Sequence, residues 1–121
     1  MLTLDEVLSD FKLYAGYPED QEVTVDSRTA DGESPLHWMA TLGDDAGIRL
    51  LVDAGASVNA VDNFGNTPIH EAVLRRQVTA VKALLQGGAE VGLKNGVGLT
   101  PLDVANSDQY QPTISALKLP R

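Results

Sequence analysis

The sequence contains no cysteine, which removes disulfides, thiolate metal sites and cysteine nucleophiles from consideration. Histidine is nearly as scarce, with 2 in 121 residues, and there is 1 tryptophan. No apolar run approaches the ~18 residues that a membrane helix needs. The longest, such as Ile48-Arg49-Leu50-Leu51-Val52, are short and interrupted by charge. The first residues lack a basic stretch and carry Asp5 and Glu6 instead, so a secretory signal is not expected. No glycine-rich loop is followed by Lys and Ser or Thr, the arrangement that cradles nucleotide phosphates. Together these absences argue against a catalyst, a cofactor or metal protein and a membrane protein. The expected compartment is the cytoplasm.

Basic residues are also few, and unevenly spread. The chain carries a net charge of −8. Residues 1–62 hold 13 acids and 3 bases, a net of −10, whereas residues 63–121 hold 4 acids and 6 bases, a net of +2. Such a surface repels nucleic-acid backbones and favours a basic protein partner at the N-terminal half.

What the sequence does have is a repeat. Ser34-Pro35-Leu36-His37, Thr67-Pro68-Ile69-His70 and Thr100-Pro101-Leu102-Asp103 recur at a spacing of 33 residues. The same period links Gly32, Gly65 and Gly98, then Val25, Val58 and Val91. It also links Ile48, Val81 and Ile114, and Leu51, Leu84 and Leu117. Ser34, Thr67 and Thr100 suit a helix N-cap, because a hydroxyl accepts from free backbone N–H groups. Proline follows at a position where its missing N–H costs nothing. His37, His70 and Asp103 stand three residues after the cap, within reach back to it. Leu36, Ile69 and Leu102 then face the core. Each unit continues into a second helix, with Ile48, Leu51 and Val52, or Val81, Leu84 and Leu85, at i, i+3, i+4 spacing. Gly55-Ala56 and Gly88-Ala89 end it. Ser57–Ala60 and Glu90–Leu93 read as extended segments leading to turns at Asp62-Asn63 and Asn95-Gly96.

The chain resembles the ankyrin-repeat family in its 33-residue period, its Thr-Pro-Leu-His pattern, its Leu-Leu pair and the Gly-Ala that follows. The resemblance covers about residues 25–118. It implies an all-α repeat solenoid of helix–turn–helix units with hairpin fingers, presenting a concave surface to other proteins. One domain over 1–121 is expected. It comprises an N-terminal helix and half-repeat over 1–28, repeats at 29–61 and 62–94, and a shortened third unit over 95–121. Arg76 stands where the family has the glycine that Gly43 retains. Asn106–Pro112 departs from the usual loop between helices, and Pro112 is expected at the first position of the last helix.

Residues 1–24 do not follow the period. Thr3-Leu4-Asp5-Glu6 reads as a capping box, and Leu4, Val7, Leu8 and Phe11 form an apolar stripe. A helix over about 4–14 is expected to cover repeat 1. Tyr14 onward reads as loop, and Val23-Thr24-Val25 as a short extended piece.

Both histidines have a structural job, no third soft metal ligand converges on them, and no catalytic group stands out. Asp44 and Asp45, read as a loop pair, point to water. Mapped through the repeat, the resemblance places Asp31, Glu33, Phe64, Asn66, Val97 and Leu99 on finger positions. It places Trp38, Leu42, Glu71, Leu74 and Arg75 on first helices, with Asp44 just beyond. Apolar groups on fingers beside charges suit interface anchors, although Trp38 also fits the core. The expected function is non-catalytic protein binding by a chain that is a monomer when free. The sharper expectation is an acidic immunity-type inhibitor of a toxin or effector, and the alternative is a general adaptor or part of a longer scaffold.

Overall fold

The computed structural model describes residues 1–118, so the last three residues of the expected domain and third unit lie outside it. Among the described residues seven helices follow one another: α1 (Leu4–Ala15), α2 (Pro35–Leu42), α3 (Asp45–Asp53), α4 (Pro68–Leu74), α5 (Val78–Gln86), α6 (Pro101–Asp108) and α7 (Gln111–Leu117). Among the described residues there is no strand. None of the helices is long and apolar enough to cross a membrane.

The helices start where the side-chain chemistry requires. At α1 the Thr3 hydroxyl accepts from the Glu6 N–H at 3.2 Å, and the Glu6 carboxylate accepts from the Thr3 N–H at 3.2 Å. Ser34, Thr67 and Thr100 cap α2, α4 and α6 in the same reciprocal way, with proline next in the chain. Asp44 is a cap as well. Its carboxylate accepts from the Gly47 N–H at 2.9 Å, and Asp45 begins α3, where it pairs with Arg49 at 3.4 Å. The reading of these two acids as a free loop pair is therefore corrected. Pro112 is corrected too: it is the second residue of α7, after Gln111. Asn106–Asp108 belong to α6, which leaves only Gln109 and Tyr110 between the last two helices.

Between the first and second helix of each unit the chain must reverse in two or three residues. Gly43 does so with φ 74°, and Arg76 and Gln109 adopt φ 56° and 60° at the same register. Non-glycine residues pay strain there. For Arg76 the guanidinium binds both oxygens of Asp108 at 3.0 and 3.1 Å and lies 4.7 Å over the Tyr110 ring. That pairing anchors the strained residue to the next unit.

The units then stack side by side. Helices α2, α4 and α6 form one layer, α3, α5 and α7 a second, and α1 packs on α2 and α3. Between the layers Leu36, Ile48, Leu51, Ile69, Val73, Val81 and Leu84 are fully buried. Ala72 and Ala105 are also fully buried, and their small side chains let the first helices approach closely. Leu102 is only half-buried, unlike Leu36 and Ile69 at the same register. Val7 and Phe11, one turn apart on α1, are buried against the first unit.

The links between units contain turns and no extended ladder. Val58-Asn59 and Val91-Gly92 are turns inside the segments expected to be extended, and Val25-Asp26 is the equivalent turn before the first finger. The finger turns fall one residue later than expected, at Asn63-Phe64 and Gly96-Val97. The cause is the preceding polar side chain. Asp62 accepts from the N–H groups of Phe64 and Asn66, both at 2.9 Å, and Asn95 accepts from those of Val97 and Leu99 at 3.1 and 3.0 Å. The side chain thus occupies the position before the turn instead of its tip.

Candidate protein-binding face

The fingers are bonded to one another. The Asn63 N–H donates to the Asp31 carbonyl, and the Gly96 N–H to the Phe64 carbonyl, both at 2.9 Å. Gly65 is required at this contact: it has φ 78°, and a Cβ there would run into the Gly96 nitrogen. The fingers are held a second time from below. The His37 ring accepts from the Ser34 N–H at Nδ1, at 3.1 Å, and donates from Nε2 to the Asn66 carbonyl at 2.8 Å. His70 repeats this with the Thr67 N–H at 3.2 Å and the Leu99 carbonyl at 2.9 Å. Those partners fix the neutral tautomer with its proton on Nε2. Burial holds both imidazoles below their ordinary range, against a smaller opposing effect of the accepting carbonyls. The bond to the following finger was missed in the sequence, where only the local cap was expected. Its sole trace is the 29-residue separation that recurs in both units.

On this scaffold, the side chains expected at an interface separate into three groups. Phe64, Val97 and Leu99 stand out from the fingers, with 65%, 78% and 37% of their surface exposed. Leu42 and Leu74, at the ends of α2 and α4, are half exposed. Asp44 and Asn66 are engaged within the chain, Asp44 as the cap of α3 and Asn66 through its side-chain oxygen, which accepts from the Asn95 amide at 3.0 Å.

The remaining residues come together at the acidic end. Trp38 is half-buried, its indole stacked on Tyr14 with centroids 5.1 Å apart and flanked by Phe11 at 6.0 Å. The Tyr14 hydroxyl donates to the Glu33 carboxylate at 3.2 Å. Tyr14 lies in the last turn of α1 and not in a loop, and its part in this cluster was missed because α1 does not follow the 33-residue period of the sequence. Burial, then the nearby charge and hydrogen bond of Glu33, push its phenol up; Asp31 and Glu71 add to the effect. Glu71, at the register of Trp38 one unit on, is pushed up by burial, and Asp62 and Glu33 reinforce this while Arg75 opposes it. The Arg75 contact is long, at 3.9 Å, and Arg75 itself is largely exposed. On α4, Glu71, Leu74 and Arg75 have i, i+3, i+4 spacing and share a face. Trp38, Thr41 and Leu42 do the same on α2.

The geometry of paired helices, bonded fingers and a recurrent polar cap agrees with the comparison to known families. A family model described as ankyrin repeats, in three copies, matches residues 8–95. The chain belongs to the ankyrin-repeat family, whose repeats serve as protein-protein interaction modules. Among curated proteins, none matches it. No group of three or more His, Cys, Asp or Glu side chains that could hold a metal ion occurs among the described residues.

Proposed function

We propose that this protein is a non-catalytic binder that engages one protein partner through its fingers and the exposed faces of α2 and α4. The single observation that carries this reading is the exposure of Phe64 and Val97, at 65% and 78%, on adjacent fingers that hydrogen bonds hold rigid. Large apolar groups on a pre-organised support lose little conformational entropy on binding, as interface anchors require. In this proposal the binding residues are Asp31, Glu33, Trp38, Leu42, Phe64, Glu71, Leu74, Arg75, Val97 and Leu99. Asn66 and Asp44 serve as supports, because their side chains are already engaged. The units take the bounds 29–61, 62–94 and 95–121, after an N-terminal segment 1–28.

The more specific proposal is an acidic immunity-type inhibitor that covers a basic toxin or effector in the cytoplasm. The net charge of −10 on residues 1–62 supports it, since opposite charge steers encounter and selects partners. Affinity capture from the native source, read by mass spectrometry, tests it. A single basic protein encoded beside this one is the expected recovery. Several unrelated proteins, with no neighbouring toxin, would leave the general adaptor as the better reading.

A further inference from the structure

The interaction face is not uniform along its length, and the difference restricts what can occupy it. At one end an indole and a phenol are stacked at 5.1 Å, with the Glu33 carboxylate held on the phenol at 3.2 Å. Glu71 stands at the register of Trp38 on α4, which packs directly on α2, and Asp31 lies on the finger that leads to α2. Glu71 is largely covered, with 13% of its side chain exposed; the Thr41 side chain hydrogen-bonds to it, and among the described residues its ion pair is the long one to Arg75 at 3.9 Å. Arg28, which precedes the first finger, is engaged elsewhere: its guanidinium donates to the Gly32 and Val61 carbonyls, both at 2.8 Å. The carboxylates therefore exceed the cations available to them. At the other end Phe64, Val97 and Leu99 are apolar.

We infer that the clasp of Tyr14, Trp38, Glu33 and Glu71 receives a side-chain cation, arginine or lysine, from a segment of the partner whose neighbouring apolar residues lie along Phe64, Val97 and Leu99. A cation there gains carboxylate contacts in a half-covered site and the attraction of aromatic rings. An acidic or purely apolar segment would leave the largely covered Glu71 with no cation closer than Arg75, which costs free energy when it is ionised. The polarity of the face also orients the segment, with its basic residue toward α1. This inference rests on the protein-binding reading of the face and adds the chemistry of the occupant.

The test is selection of a random peptide phage library on the immobilised 121-residue chain at low salt, followed by titration of the leading synthetic peptide. Enriched peptides are expected to combine Arg or Lys with aliphatic or aromatic residues a few positions away. Trp38, the only tryptophan, should report binding by a change in emission. Glu33→Gln and Glu71→Gln, checked by thermal melts to be folded, should each weaken the lead about tenfold, and replacing its basic residue by citrulline or norleucine should make both variants indifferent. Retention of affinity on Arg-to-Lys exchange assigns a general cation site, and its loss assigns an arginine site. Enrichment of acidic or uncharged peptides, or unchanged affinity in both Gln variants, overturns the inference. If Phe64→Ala still weakens the peptide in that case, the face survives as an interface and only the cation clasp fails. No enrichment at all, or binding indifferent to Phe64→Ala, overturns both readings.

Discussion

His70 and Asp103 occupy the same register position in successive units, yet they serve different ends. Both reach back to the N–H of their helix cap, at 3.2 Å from Thr67 for His70 and 3.1 Å from Thr100 for Asp103. Only the imidazole has a second polar atom on its far side, and it uses that atom on the Leu99 carbonyl of the next finger. Asp103 is exposed and makes the local cap alone. The difference separates two roles within one motif position: closing a helix start, which a carboxylate does as well, and joining neighbouring units, which needs the two-ended ring. The solvent exposure of the two positions follows the same division, since His70 is fully buried.

The largest effect should come from the apolar seam that makes the stacking possible. Leu84→Ala or Leu51→Ala, both fully buried, should cost about 2–5 kcal/mol in denaturant unfolding. A smaller loss would mean that the units fold nearly independently. Next comes the motif position itself. His70→Ala leaves a buried N–H and carbonyl without partners and should cost about 1–3 kcal/mol, whereas Asp103→Ala should cost less. His70→Asn sharpens the contrast, because its amide oxygen can keep the cap without burying a charge while the link is lost; its stability should fall between those of His70→Ala and the native chain.

The two positions should also part company in their pH dependence. Both folded imidazoles lie below the ordinary value of 6.5. Above 6.5 neither state carries the extra proton and stability is full. As pH falls below 6.5 the unfolded chain takes up protons that the folded chain resists, so stability declines until the folded imidazoles themselves titrate. Asp103 is held below its ordinary 3.8, first by its hydrogen bond from the Thr100 N–H, so its contribution is present above 3.8 and lost only as pH falls through the lower folded value. Thermal melts from pH 7 to 5 should therefore show a decline that is shallower in His70→Ala and unchanged in Asp103→Ala. The smallest stability change is expected at the open face, where Phe64→Ala should remain within about 0.5 kcal/mol of the native chain.

What the sequence made legible follows the range of the interactions. Caps, the buried leucines and the glycine after α3 and α5 are local chemistry repeated at 33 residues, so period and spacing revealed them. The turn tips were misplaced by one residue because Asp62 and Asn95 were read as turn residues. They instead bond the turn from the position before it, a role that Thr29 fills at the same register by accepting from the Glu33 N–H at 3.1 Å. Arg76 and Gln109 were visible as departures, but their left-handed backbone depended on a partner 32 residues away in one case. On the candidate face, the exposed finger residues could be mapped by register. The clasp could not, because Tyr14 belongs to a helix outside the period and meets Trp38 and Glu33 only through the docking of α1. Asp44 showed the opposite error: an acid in a short connection looked available, and it is spent on a helix start.

The central claim is that the fingers and the exposed first-helix faces form the binding surface. It is tested most directly by affinity capture with the native chain beside Phe64→Ala and Glu33→Lys, all three shown by thermal melts to be folded. The partner recovered by the native chain should be strongly depleted from both variants, with their melting temperatures little changed. Equal recovery by all three folded proteins would contradict it and move the interface to another surface.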